Sequence, residues 1–173
     1  MRFAEFLKST VVLTAGVATA LATVTVLSAA ASSHHVLIAG MAGWWVLAGA
    51  VGIWLGRRAE ANPPIARLLA AARASSALPL VQPARILLNR LWPLFLFALI
   101  AGGLGFLAAQ IPGIGAGFAI IWALAWRRQH DAVRAIEDRD GVRFYVVPNS
   151  PIRPIELQRT PGLKAIHRDR SAA

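Results

Sequence analysis

Few side chains in this sequence could do chemistry. His34 and His35 stand side by side with no carboxylate or thiolate near them. A metal centre needs three or four converging ligands, so the pair reads as solvated loop histidines. His130 and Asp131 join a base to an acid, but Arg127, Arg128 and Arg134 around them give the stretch the character of an ordinary charged helix face. Glu137, Asp138 and Asp140 form one acidic group, with no second group to complete a two-metal site. Cysteine is absent, which removes disulfides, thiol catalysis and thiolate ligands. Gly113, Gly115 and Gly117 have the spacing of a glycine-rich loop. A phosphate cradle also needs a following basic residue in water. These glycines lie in an apolar run, where close helix packing explains them better. The sequence offers no catalytic residue, no cofactor-binding residue and no metal ligand, and the chain reads as a non-enzyme without cofactors.

The apolar content explains what the chain is built for. Of the residues 57% are hydrophobic and 15% charged, against about 45–50% and 25% in soluble domains. The apolar residues fall in three runs without Asp, Glu, Lys or Arg, at 9–33, 34–56 and 91–126. A run of about 18 or more reads as a membrane span. The net charge of +10 would suit nucleic acid only if a soluble fold carried it on one face. Here the basic residues bracket the apolar runs, so nucleic acid is not an expected partner.

The first span is read at residues 11–31. Thr10, Thr14, Thr19, Thr23 and Thr25 each can return a hydroxyl to the carbonyl four residues earlier, which keeps their polar cost small. The competing reading is a signal peptide, with Arg2 and Lys8 as its basic start and Ala29, Ala30 and Ala31 as small cleavage residues. Against it stand an apolar core longer than such peptides use and the acidic Glu5. The second span, residues 36–56, carries Ala48, Gly52 and Gly56 at four-residue spacing, a row that admits a neighbouring helix. Trp44 and Trp45 sit near its middle and are expected to pack against that neighbour. The third run would reach about 54 Å as one helix. Gln110, Ile111, Pro112 and Gly113 divide it into spans at about 91–109 and 111–126, either crossing or re-entrant. Gly52, Gly56, Gly113 and Gly117 are the expected helix-packing positions.

All eighteen basic residues lie on one side of this arrangement. Two precede the first span, six (57, 58, 67, 73, 85 and 90) fall between the second and third, and ten follow the fourth. The positive-inside rule then puts both termini in the cytoplasm of a multi-pass inner or plasma membrane protein. Between the second and third spans, residues 64–90 read as an interfacial segment. Pro64 suits a first helical turn, and Ile65, Leu68, Leu69 and Ala72 form an apolar stripe opposite Arg67. Residues 84–90 read as a second interfacial turn.

The tail, residues 127–173, begins as a helix continuing the last span and ends it at Asp140-Gly141. Residues 142–147 and 155–159 are rich in strand formers and predict a β-hairpin or an extended arm. Two strands alone are marginal, so Phe144, Tyr145, Val146, Ile155 and Leu157 are expected to dock on a surface. Removing residues 141–173 is expected to leave the membrane part, residues 1–126, folded while abolishing the protein's interactions.

The sequence thus predicts an all-α integral membrane protein of four transmembrane helices, with a short interfacial amphipathic helix and a small cytoplasmic C-terminal appendage. Its expected role is a non-enzymatic accessory or scaffold protein of a bacterial-type inner membrane. A subunit of an oligomeric transporter or pore is the alternative, and a membrane enzyme acting on lipid a third class. The expected partners are anionic lipid headgroups and either a second copy or another membrane protein.

Overall fold

A computed structural model describes residues 1–31, 35–58, 60–75, 82–148 and 153–161. His34 and the end of the tail lie outside these residues, and of His35 only the backbone is described, at the start of a helix. The described chain runs α1 (Phe3–Ala31), α2 (His35–Leu55), α3 (Pro63–Ala70), β1 (Arg73–Ala74), α4 (Pro83–Leu104), α5 (Gln110–Trp126), α6 (Gln129–Asp140), β2 (Val142–Val146) and β3 (Leu157–Pro161). The protein is mostly helical, and α1, α2 and α4 are each long and apolar enough to cross a membrane. Such helices satisfy their own backbone polar groups, which an apolar phase requires.

Helix α5 is the centre of the helical part, packed against α1, α2 and α4. It can be central because it is narrow. A Cβ on Gly113 would meet Thr25 of α1 and Met41 of α2, and one on Gly115 would meet Leu21 of α1 and Phe97 of α4. One on Gly117 would run into the Trp44 indole. From the other side, a Cβ on Gly52 would lie 2.8 Å from the Leu124 Cβ and 3.1 Å from the Ile121 Cα. One on Gly56 would meet the Leu124 carbonyl oxygen. Small residues on both surfaces let the backbones approach, which drives helix association where no water is present to do so. Val17, Ala18 and Leu21 of α1, Ala101 of α4, and Ala116 and Ala119 of α5 fill the remaining space.

Polar groups in these helices find partners at once. The hydroxyls of Thr10, Thr14, Thr19, Thr23 and Thr25 each donate to the carbonyl four residues earlier, at 2.8–3.0 Å. Trp45 donates from Nε1 to the Gly113 carbonyl at 2.8 Å, and Trp44 to the Ile114 carbonyl at 3.4 Å. Phe118 meets the Trp44 ring edge-on at 5.7 Å. Glycine at 113 exposes the carbonyl that Trp45 reaches, so the small residues also open α5 to hydrogen bonding.

The helix boundaries correct two expectations. Residues 84–90 are not a separate interfacial turn but the first turns of α4, which starts at Pro83 and continues to Leu104 with Pro93 inside it. The short amphipathic helix is accordingly confined to Pro63–Ala70, where both prolines occupy the first turn. The break in the long apolar run falls at residues 105–109, before Gln110 and not after it. Pro112 lies in the first turn of α5, where no amide has an intrahelical acceptor and proline costs little. Outside the helices, β1, β2 and β3 form a sheet in the order β1-β3-β2, one strand more than the hairpin expected of the tail.

The approach of α2 to α5 predicts a graded cost. Gly52→Leu is expected to destabilise the protein in detergent by about 1–3 kcal/mol, the range for overpacked sites. Gly43→Leu, on the same helix with nothing within 4 Å of its Cβ position, is expected to leave the thermal midpoint unchanged. Equal midpoints for the two variants would show that Gly52 is not a packing position.

Candidate functional site

The chain's beginning, its middle connection and its tail meet at one pole of the helical bundle. Phe3, Phe6 and Leu7 of α1 enter a core with Ile65 and Leu69 of α3, Ile86 of α4, Val133 of α6, Phe144 and Val146 of β2, and Leu157 of β3. On α3, Ile65 and Leu69 lie one turn apart and supply the apolar face, with Arg67 exposed. The two strands alternate as their pleat requires. Phe144 and Val146 point into this core, while Arg143 and Tyr145 point away from it.

Antiparallel pairing of β2 with β3 sets Phe144 opposite Arg159 and Val146 opposite Leu157. β3 is the middle strand, because Arg73–Ala74 adds in parallel along its other edge. The outer edge of β2 is covered in turn. Arg2 bridges to Tyr145, and the Val146 N–H donates to the Met1 carbonyl at 3.1 Å. Both edges beside the core are therefore occupied by segments from elsewhere in the chain.

Helix α6 holds this assembly together through two buried polar side chains. At its start, Gln129 is 1% exposed and accepts the Asn62 N–H at 2.9 Å while donating to the Glu60 carbonyl at 3.4 Å. Arg128 donates to the Arg57 carbonyl at 3.2 Å. These contacts fasten the connection between α2 and α3. At its other end, Glu137 is 2% exposed and accepts the Phe144 N–H at 2.9 Å, with Arg143 at 3.3 Å on its second oxygen. Arg143 also donates to Asp138 at 2.9 Å. Burial lowers the proton affinity of the Arg143 guanidinium, but the hydrogen bonds and charges of Glu137 and Asp138 together raise it above its ordinary value. The reversal that brings β2 under Glu137 is made by Gly141, at φ 64°, whose N–H donates back to the Glu137 carbonyl. A side chain is strained in that left-handed conformation, so glycine is the residue that fits it.

Beside the core lies a groove of about 360 Å3 between α1, α3, α4, α5 and residues 153–155. Its walls are apolar, with Phe6, Leu68, Leu91, Trp122 and Trp126 among them, and Arg90 and Arg153 are its cationic members. The Trp122 and Trp126 rings stack at 5.5 Å. Arg90 donates to the backbone carbonyls of Arg153 and Pro154, tying the tail to α4.

Of the tail residues singled out from sequence, Phe144, Val146 and Leu157 are buried together. Tyr145 lies on the opposite strand face against Arg2, and Ile155 precedes β3 and lines the groove. The glycines at 52, 56, 113 and 117 are in the bundle and take no part in the pole. His130 Nε2 lies 3.2 Å from Asp131, and among the described residues no three His, Cys, Asp or Glu side chains converge. Gln129, Glu137, Arg90 and Arg153 were not marked by the sequence as members of a site. The chain matches no known protein family, no characterised protein and no solved structure.

The tail is therefore not a removable arm. Truncation before Gly141 takes Phe144, Val146 and Leu157 out of a shared core, at about 1.5–3 kcal/mol for each large side chain. It is expected to yield protein that aggregates or melts at lower temperature in detergent. Glu137→Ala strands the buried Phe144 N–H and is expected to cost about 1–3 kcal/mol. Glu137→Gln keeps the acceptor and should cost less. Chemical denaturation of the purified protein measures both, and equal losses would show that the acceptor at 137 is not what matters.

Proposed function

We propose that the chain crosses the membrane four times with its basic pole in the cytoplasm, and serves there as a non-enzymatic accessory or scaffold protein. The observation that carries this reading is the pole itself. The three segments that bear every Lys and Arg of the sequence contribute to one folded body at one end of four apolar helices. Charge on one side only is the pattern that fixes orientation during insertion. The fourth crossing would be α5, whose 17 residues span about 26 Å of a core near 30 Å. Arg127 and Arg128 directly after it can reach the headgroups by extending along the helix.

A scaffold role is favoured over ion-coupled transport because the apolar runs carry no Asp, Glu, Lys or Arg. Coupling sites in transporters are built on such residues at depth. The polar residues of the pole serve its own architecture, and its outer face is left for a partner.

Reporter fusions at Ala61 and Ala173 are expected to read cytoplasmic, with a label at Ser33 accessible from outside. An external reading at Ala173 would overturn the topology. For the scaffold role, a photocrosslinker at the exposed Arg139 is expected to capture one reproducible protein in intact cells. Capture of lipid alone would overturn that role.

A further inference from the structure

The groove beside the core sits where charge gives way to apolar sequence on several of its walls. On α4, Arg90 is followed by the uncharged run that begins at Leu91, and both residues line the groove. On α5, Trp126 is the last residue before Arg127, and it lines the groove one turn below Trp122. On α1, Thr10 of the lining follows Lys8 by two residues. Pro64 and Leu68 come from the short amphipathic helix α3. A cavity bounded this way has an apolar end and a cationic end.

We propose that this groove is a binding site for one anionic glycerophospholipid of the adjoining leaflet. One of its two acyl chains lies along Leu91, Phe6 and Trp122, and its phosphate is met by Arg90 and Arg153. Charge complementarity selects this occupant. Among the described residues no carboxylate belongs to the lining, and Glu156, whose charge reaches Arg90, lies outside it. A peptide or a second copy of the chain would need a partner for two arginines on an apolar wall. A lipid of the same leaflet brings phosphate and hydrocarbon at the matching heights. The backbone carbonyls of Arg153 and Pro154 hold the Arg90 guanidinium in place, so one cation is positioned before any ligand arrives. The volume of about 360 Å3 lies in the range of small-molecule sites, roughly 300–1,000 Å3. Trp122 is 58% exposed and provides an aromatic wall of the kind found at membrane interfaces.

The inference rests on the proposed membrane reading, but its test does not depend on orientation. Full-length protein is purified in neutral detergent, delipidated, and titrated with phosphatidylglycerol and with phosphatidylcholine, and retained lipid is counted by native mass spectrometry. One phosphatidylglycerol per chain is expected, with phosphatidylcholine bound at least tenfold more weakly. Arg153→Ala removes a charge and keeps the carbonyl that Arg90 uses, so the fold is retained. It is expected to weaken phosphatidylglycerol about fivefold, the effect of one basic residue close to an anionic surface. Leu68→Trp adds bulk to the groove wall with both arginines present and is expected to abolish retention. Equal affinity for the two lipids, unchanged binding by Arg153→Ala, or full competition by glycerol phosphate without an acyl chain would each overturn the proposal. If no lipid is retained while the fusions still read cytoplasmic, the groove assignment fails and the topology stands. If lipid is retained while Ala173 reads external, the reverse holds.

Discussion

Phe3, Phe6 and Leu7 from the first turns of the chain meet Phe144, Val146 and Leu157 from its last two strands, and without that contact the pole has no interior. The remaining features of the pole follow from it. A two-stranded hairpin is marginal in water by itself, and β1 adds only Arg73 and Ala74 to it. Here its inner face is covered by α1 and α3, and its outer edge is closed by the backbone of Met1 and Arg2. The groove exists because residues 153–155 are held against α4 and α1 on their way into β3. Membrane helix and tail are one structure at this end.

The polar side chains buried at the pole are consistent with that demand. Gln129 and Glu137 lie at opposite ends of α6, and each satisfies backbone that no strand or helix covers. A buried carboxylate without partners is costly, and Glu137 has both a backbone N–H and a guanidinium. α6 thus works as a brace whose two ends grip different segments. In the bundle the same rule is met by other means, with threonine hydroxyls and tryptophan N–H groups returned to helix carbonyls. In both regions the chain itself supplies partners for these buried polar groups, whereas His130 Nδ1 on α6 is buried with none among the described residues.

Much of the helical layout is written in the hydropathy of the sequence, because a membrane core tolerates no charge and the runs at 9–33, 34–56 and 91–126 have none. The small-residue row of Ala48, Gly52 and Gly56 was also legible, since close approach needs small side chains at helical spacing. The turn was misplaced because Pro112 looks like a breaker, whereas proline in a first helical turn breaks nothing. The strand Arg73–Ala74 could not be read, because two residues have no periodicity and its pairing with β3 is set in three dimensions. The groove was equally hidden. Arg90, Trp122 and Arg153 are far apart in sequence, and only the return of the tail across α4 makes them neighbours. Glu137 carried a weak signal, four residues before a glycine that ends a helix, but nothing marked it as buried.

Joining the two ends of the chain also sets an order of events during synthesis. Phe3, Phe6 and Leu7 leave the ribosome well before the strands, and Leu157 is made 150 residues after Leu7. At about 5–20 residues per second, the apolar turns at the start of α1 wait roughly 8–30 s for the strands that cover them. Within that interval α3, α4 and α5 are made, and they cover part of α1 before the strands do. The helices are complete before the pole can close, so the last strand acts as a seal on a bundle already made. A ribosome that stalls between Trp126 and Leu157 would leave the helices with an open, apolar pole, a state that quality control could recognise.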